Sequence, residues 1–282
     1  MSAPARLRRL LSETKIVVAP GVYDGITARL SEQAGYAAAY MTGAGTSMAR
    51  GYPDFGLLTM NEMADNAGMI ARTISVPLIA DADTGYGNEL NATRTVREYE
   101  MRGVAAIHIE DQVSPKRCGH LDGKEIVPKD EFVAKIRAAA AARRDQDFLI
   151  IARTDARAVT TFEDAIERAN AALEAGAGMA FVEAAQTLEE MAAVPKLVKG
   201  PCLLNIVPGG KTPQVTLSEA EAMGYRLAIL PGLLITAVVE AADRALEALK
   251  AGDPAKAVPG ADLIAAFARF GTAEWNALRR GG

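Results

Sequence analysis

Eight short apolar runs, each separated from the next by a longer helical stretch, constrain this chain more than any other feature of its sequence. They cover residues 16–20, 38–42, 78–83, 106–111, 149–155, 180–183, 203–207 and 227–230. The runs are continuous rather than alternating, as strands buried on both faces should be. Thr59 with Glu62, Thr161 with Asp164 and Ser218 with Glu221 each place a hydroxyl three residues ahead of a carboxylate, the pattern of a helix start. Gly35, Gly103, Gly176 and Gly224 stand just before a following run, where a left-handed residue ends a helix and turns the chain back. Eight β/α units that close on themselves satisfy this pattern, so the expected fold is α/β, a (β/α)8 TIM-type barrel. A doubly wound open sheet shows much the same local pattern.

Such a barrel takes about 250 residues, which assigns residues 1–250 to it and leaves 251–282 as a linker and an extra C-terminal helix. That helix, expected over 262–278, carries an apolar stripe with no barrel surface left to cover. A stripe of this kind is open to a fold back onto its own barrel, or to the exchange between subunits of a homo-oligomer that the family resemblance given below implies. The formal charge is -4, with 31 Lys and Arg against 35 Asp and Glu spread along the chain, so no field exists to draw in nucleic acid. The longest apolar stretch, 227–239, is broken by Pro231 and Gly232 and falls short of the roughly 18 residues of a membrane span. Arg6, Arg8 and Arg9 lead into Glu13 without an apolar leader core. Cys118 and Cys202 make no disulfide framework. The expected location is the cytoplasm.

Function is read from where polar residues fall. Six of the eight runs end in one: Thr42, Asp81 with Asp83, Glu110 with Asp111, Arg153 with Asp155, Glu183 and Asn205. In a barrel these ends converge on one mouth, the face where barrel active sites lie. Buried charges are costly unless paired or bound to metal, so the set points to a site. Taken singly, each could merely begin a solvated loop.

Asp81 and Asp83 share one face of a strand end, Glu110 ends the next strand, and Asp54 follows the second. Hard oxygen ligands with room for water and substrate suit Mg²⁺ or Mn²⁺, not zinc. Residues 84–87 (TGYG) then make a tight loop. In the loop after the fourth strand, Cys118 is flanked by Lys116, Arg117 and His120. Those cations favour thiolate and so a thiol suited to proton transfer. His108, inside a strand, is expected to be a hydrogen-bonded core residue, and Cys202 a packed small hydrophobe. Arg153 with Glu183 and Asn205 forms either a clamp for a substrate carboxylate or a buried pair bracing the barrel.

At 116–120 (KRCGH) and 79–87 (IADADTGYG) the sequence resembles the isocitrate lyase and phosphoenolpyruvate mutase superfamily. The resemblance runs from about residue 20 to 240 and includes PGVYDG, PDFGLLT, HIEDQ, ARTDA and GGKTP in the same order. The cysteine loop resembles the lyase branch, which includes the methylisocitrate and dimethylmalate lyases. This implies Mg²⁺ on Asp81 and Asp83, with Asp54 and Glu110 acting largely through its waters. It implies that Tyr40, Thr42, Gly43 and Ala44 cradle the 2-oxo acid half of the substrate. Arg153, Gly119, His120, Glu183 and Asn205 would hold the carboxylate of the other half. Cys118 would move the proton at the carbon that becomes an enolate, in the company of Lys116. The implied reaction is cleavage of the C2–C3 bond of a 2-hydroxy di- or tricarboxylate, with residues 114–124 as a lid and a dimer or tetramer as the assembly. Two departures concern the substrate: 42–45 reads TGAG where the lyases often have Ser-Gly, and no serine follows Pro231. The second speaks against oxaloacetate hydrolysis. The rivals are oxaloacetate hydrolysis or decarboxylation, phosphonate chemistry, and a non-catalytic barrel serving as a scaffold.

Overall fold

The computed structural model describes residues 1–13, 15–119, 121 and 123–280. All eight runs form strands: β1 Val17–Val22, β2 Ala39–Met41, β3 Leu78–Asp81, β4 Ala106–Glu110, β5 Leu149–Thr154, β6 Met179–Val182, β7 Cys202–Asn205 and β8 Leu227–Leu230. They pair in parallel and in sequence order into a closed barrel. Closure lies between β1 and β8, where Val17 to Pro20 run beside Leu227 to Leu230. The open-sheet alternative is thereby set aside.

Two-residue periodicity sorts the side chains of each strand. One set, including Tyr40, Ile79, Ala106, Leu149, Ile151, Phe181, Leu203 and Ile229, fills the barrel interior. The alternate set, including Ala80, Ala82, Ile107, Ile109, Ile150 and Ala152, packs outward against the helices. The helix Ala3–Ser12 adds its Leu7 to the interior cluster.

Helix boundaries follow the capping chemistry with one change. Thr59 and Glu62 close a full capping box at the start of Met60–Thr73, and Thr161 caps Phe162–Glu174. The pair expected at Ser218 and Glu221 is displaced by Thr216 and Glu219, which form the box that starts Leu217–Met223. Both pairs have the right spacing; Thr216 precedes the helix with extended backbone (ψ 160°) and can turn its hydroxyl onto the amide of Glu219. Gly35, Gly103, Gly176 and Gly224 all have positive φ, as expected of helix ends.

The described chain divides into two compact units, residues 1–235 and 236–282. The first holds the barrel. Within the second, the single helix expected over 262–278 is instead two, Leu263–Ala268 and Thr272–Arg280. Gly271, at φ 89°, breaks the helical path between them. No described helix is long and apolar enough to cross a membrane.

Candidate active site at the barrel mouth

The inward set of β3 to β7 turns polar at the C-terminal end of each strand. Ile79 is followed two residues on by Asp81, Ala106 by His108 and Glu110, Ile151 by Arg153, Phe181 by Glu183 and Leu203 by Asn205. Each polar residue thus continues the inner face of its strand and is buried there. The rule also moves Asp111 out of the mouth. It accepts from the Thr154 hydroxyl at 2.6 Å and pairs with Arg168 at 3.3 Å, bracing the barrel against the helix Phe162–Glu174.

His108 is a buried, hydrogen-bonded residue, as expected, and its ring borders the site through Tyr40 and Asp81. It shares a face with Glu110, a signal that strand periodicity alone could have supplied. Its Nε2 lies 2.8 Å from the Tyr40 hydroxyl and 3.4 Å from Oδ1 of Asp81. Nδ1 has no partner among the described residues. An unpartnered lone pair is more tolerable than an unpartnered N–H, so the favoured tautomer carries its proton on Nε2. Burial pushes the imidazole down to about 4, against the pull of Asp81, so the ring is neutral at neutral pH. The backbone amides of Gly43 and Asp83 donate to Asp81 at 3.2 and 2.9 Å. Burial works to raise the Asp81 carboxyl, yet the His108 ring beside it and the Lys116 and Arg153 charges hold it below its ordinary value.

Asp54, Asp81, Asp83 and Glu110 are brought to this mouth, and Lys116 lies among them. Its ammonium is 2.5 Å from Asp54 and 3.2 Å from Asp83. Burial pushes Asp83 up to about 6, with Lys116 opposing and the like charges of Asp81 and Asp54 adding to it. Asp83 takes a left-handed φ of 45° just past β3, as a short polar residue can. Glu110 is fully buried and pushed well above the carboxylate range by that burial. Its Oε1 has no hydrogen-bond partner among the described residues. No three His, Cys, Asp or Glu among those residues form a ready-made metal cage. Magnesium does not require one, because it keeps several waters and takes one or two carboxylates plus substrate oxygens. The hard-oxygen donor set and the unpartnered Glu110 oxygen fit an ion of that kind.

Arg153 is both clamp and brace. Its guanidinium meets Asp155 at 2.9 Å, Glu110 at 3.3 Å and Glu183 at 3.5 Å, and rests 5.1 Å from the Phe181 ring centre. Asn205 donates to Glu183 at 3.0 Å. Ala184, at φ 56°, turns its amide back onto Glu183 Oε1 at 2.8 Å. The carboxylate is thereby held from several sides.

The segment after β4 covers this assembly. Its stem is a short antiparallel contact, with Gln112 opposite Ile126 and the Val113 amide on the Glu125 carbonyl at 2.9 Å. Gly119 passes so close to the barrel that a Cβ there would lie 2.4 Å from Nη2 of Arg153 and 2.8 Å from Cγ of Glu183. Cys118 and Gly119 line one cavity of about 130 Å³ together with Tyr40, Thr42, Ala44, Asp54, Asp81, Lys116, Arg153, Glu183 and Asn205. Phe181, Val207, Ile229 and Pro231 form its apolar wall. Of the flanking cations, Lys116 is engaged with Asp54 and Asp83, and Arg117 lies over the Phe55 ring. His120 lies outside the described residues, as does Asp122 within the expected lid. Lys124, which no sequence pattern singles out, is buried and paired with Asp155 at 3.0 Å. Cys202 is buried, as expected, and its thiol is pushed up to about 12 by that burial.

The family model of phosphoenolpyruvate phosphomutase matches residues 7–250. The chain is 46% identical to 2,3-dimethylmalate lyase of Eubacterium barkeri, over 96% of this chain and 93% of that one. It is 47% identical to 2-methylisocitrate lyase of Aeropyrum pernix, over 85% of this chain and 77% of the relative. Among solved structures, oxaloacetate acetylhydrolase in complex with the inhibitor 3,3-difluorooxalacetate superposes with a TM-score of 0.95 at 40% identity. That match covers 99% of this chain and 97% of the other.

Proposed function

The chain belongs to the phosphoenolpyruvate phosphomutase family, and from that premise we propose that it cleaves the C2–C3 bond of a small 2-hydroxy di- or tricarboxylate. The substrate is of the 2,3-dimethylmalate or 2-methylisocitrate kind, and the products are a 2-oxo acid such as pyruvate and a second carboxylate. The chain is a carbon–carbon lyase. One observation carries the assignment: Cys118 opens onto the same small cavity as Asp81 and Arg153.

Asp81 and Asp83 would hold Mg²⁺, or Mn²⁺ in its place, with Asp54 and Glu110 supporting it at one remove. When bound, the ion would supply Lewis acidity to the 2-hydroxyl, whose proton passes to a carboxylate of the mouth and afterwards restores the Cys118 thiol. Tyr40, Thr42, Gly43 and Ala44 cradle the half that becomes the 2-oxo acid. Arg153, Glu183 and Asn205, with Gly119 and His120, hold the carboxylate of the other half. As the C2–C3 bond breaks, its electron pair moves to C3 and is delocalised into the adjacent carboxylate. The Cys118 thiol then delivers its proton to C3. Lys116 supplies positive charge beside the reacting groups, and the loop above excludes water. The exposed apolar residues Leu263, Ile264, Phe267 and Trp275 are assigned to subunit assembly, as a dimer or tetramer, in a cytoplasmic enzyme.

The test is incubation with Mg²⁺ and, separately, 2-methylisocitrate, 2,3-dimethylmalate, isocitrate and oxaloacetate, with products followed by NMR. A 2-oxo acid released from a hydroxy acid, and lost in Cys118→Ser and on chelation, supports the lyase. Consumption of oxaloacetate alone supports the second reading, oxaloacetate hydrolysis or decarboxylation, which the likeness to oxaloacetate acetylhydrolase favours. Turnover of none of the four turns attention to phosphonates.

A further inference from the structure

We propose that Lys124 is a positioning residue whose buried ammonium clamps the backbone beside Cys118 to the end of β5, holding the thiol and the Arg153 guanidinium as one unit. Its side chain is 2% exposed, although it belongs to a loop at the barrel mouth. The ammonium donates to the carbonyl of Gly119 and to Oδ1 of Asp155, the latter at 3.0 Å. Asp155 is a rigid anchor: it is fully buried, its amide donates to Asp111 at 2.8 Å, and its other oxygen takes Nε of Arg153 at 2.9 Å.

Cys118 therefore lies between two pinned points of backbone. On one side the Gln112 side chain accepts from the Arg117 amide at 3.0 Å and donates to the Arg117 carbonyl at 2.9 Å. On the other, Lys124 holds Gly119. Gly119 already packs on Arg153 and Glu183 with no room for a Cβ, so lifting it would carry the neighbouring thiol off the cavity.

Charge strengthens the same case. Arg153 faces three carboxylates, Glu110, Asp155 and Glu183. Lys124 is a second cation on Asp155, and it leaves the guanidinium freer to serve Glu183 and the substrate. Removing one partner from such a buried pair leaves an uncompensated charge that the remaining cation must satisfy. The effect on turnover rests on the proposed role of Cys118; the clamp itself is read from thiol protection.

The experiment is iodoacetamide labelling of the full chain, followed site by site by mass spectrometry. In Lys124→Met, Cys118 is expected to label about tenfold faster than in the wild type, as expected when local opening is eased. Lys124→Arg, which keeps the charge and can reach both acceptors, is expected to restore slow labelling. Buried Cys202 reports global loosening and is expected to stay unlabelled. With a hydroxy acid that the enzyme cleaves, Lys124→Met lowers kcat more than it changes KM, and Lys124→Arg recovers it. Wild-type labelling of Cys118 in Lys124→Met, with Cys202 protected, overturns the proposal. Should Cys202 label as well, hydrogen exchange of the wild type decides: stronger protection across 114–124 than across 50–58 supports the clamp, and equal exchange overturns it. Altered labelling without turnover of any hydroxy acid leaves the clamp standing and sinks the lyase assignment alone.

Discussion

The Tyr40 hydroxyl stands 2.8 Å from Nε2 of His108, and the same nitrogen lies 3.4 Å from the Asp81 carboxylate. Burial lowers the imidazole from its ordinary 6.5 to about 4. Between those values the unfolded chain binds the proton and the folded one does not, so stability from the neutral ring is complete above 6.5 and is lost as pH falls toward 4. In metal-free protein, the stability difference between wild type and His108→Gln should shrink by at most about 3 kcal/mol from about pH 7 to about pH 4. Urea unfolding at both pH values measures it, and a constant difference would mean that the ring is not held neutral.

Lys116 competes with any cation for Asp54 and Asp83. Lys116→Met is expected to bind Mg²⁺ about tenfold more tightly, since one unit charge at this separation is worth roughly 1–4 kcal/mol. Asp83→Asn is expected to bind it more weakly than wild type. Isothermal titration calorimetry reads both without reference to turnover; weaker binding in Lys116→Met would count against competition.

Arg153 serves Glu110, Asp155 and Glu183 through a planar fork, a geometry that an ammonium cannot copy. Arg153→Lys should keep the net charge yet lower kcat/KM by about 100-fold, the scale of a misplaced reacting group. Steady-state kinetics decides it, and near wild-type activity would reduce Arg153 to a source of charge.

A methyl group at Gly119 would meet Arg153 and Glu183. Gly119→Ala should therefore leave the loop unable to settle on the barrel, with kcat/KM down by about 100-fold. The melting temperature should move by only a few degrees, because the change is in a loop and not in the barrel core. Activity and thermal unfolding, measured on one preparation, separate that outcome from general misfolding.

Thr59 caps Met60–Thr73 by accepting the Glu62 amide on its hydroxyl and by donating its own amide to the Glu62 carboxylate at 2.7 Å. Thr59→Ala is expected to cost about 1 kcal/mol of stability without touching kcat. A change in kcat would show that this helix start does more than end a helix.

The barrel and most of its mouth were legible because strand burial and side-chain alternation are local properties. Asp81, Arg153, Glu183 and Asn205 are each read from the end of their own strand. His108 is legible as a hydrogen-bonded core residue from its place inside a strand, but its partners, Tyr40 and Asp81, lie on other strands and are not. Ser218 with Glu221 and Thr216 with Glu219 have the same spacing, and only the backbone angle preceding the helix, which the sequence does not show, separates them. Lys124 had no local signal at all, since a lysine after a glycine in a charged loop looks like any solvated cation.

By itself, the sequence determined where the eight strands lie along the chain, which residues of each share a face, and hence which chemical groups could reach one mouth. Tertiary structure alone decided who meets whom there. Lys116 joins Asp54 and Asp83, Lys124 joins Asp155 and Gly119, and Arg153 divides itself among three strands. The physical reason is that alternation is set by bond geometry within a strand. Ion pairing depends instead on barrel closure, on the path of a loop, and on burial that makes each unpaired charge too costly to leave alone.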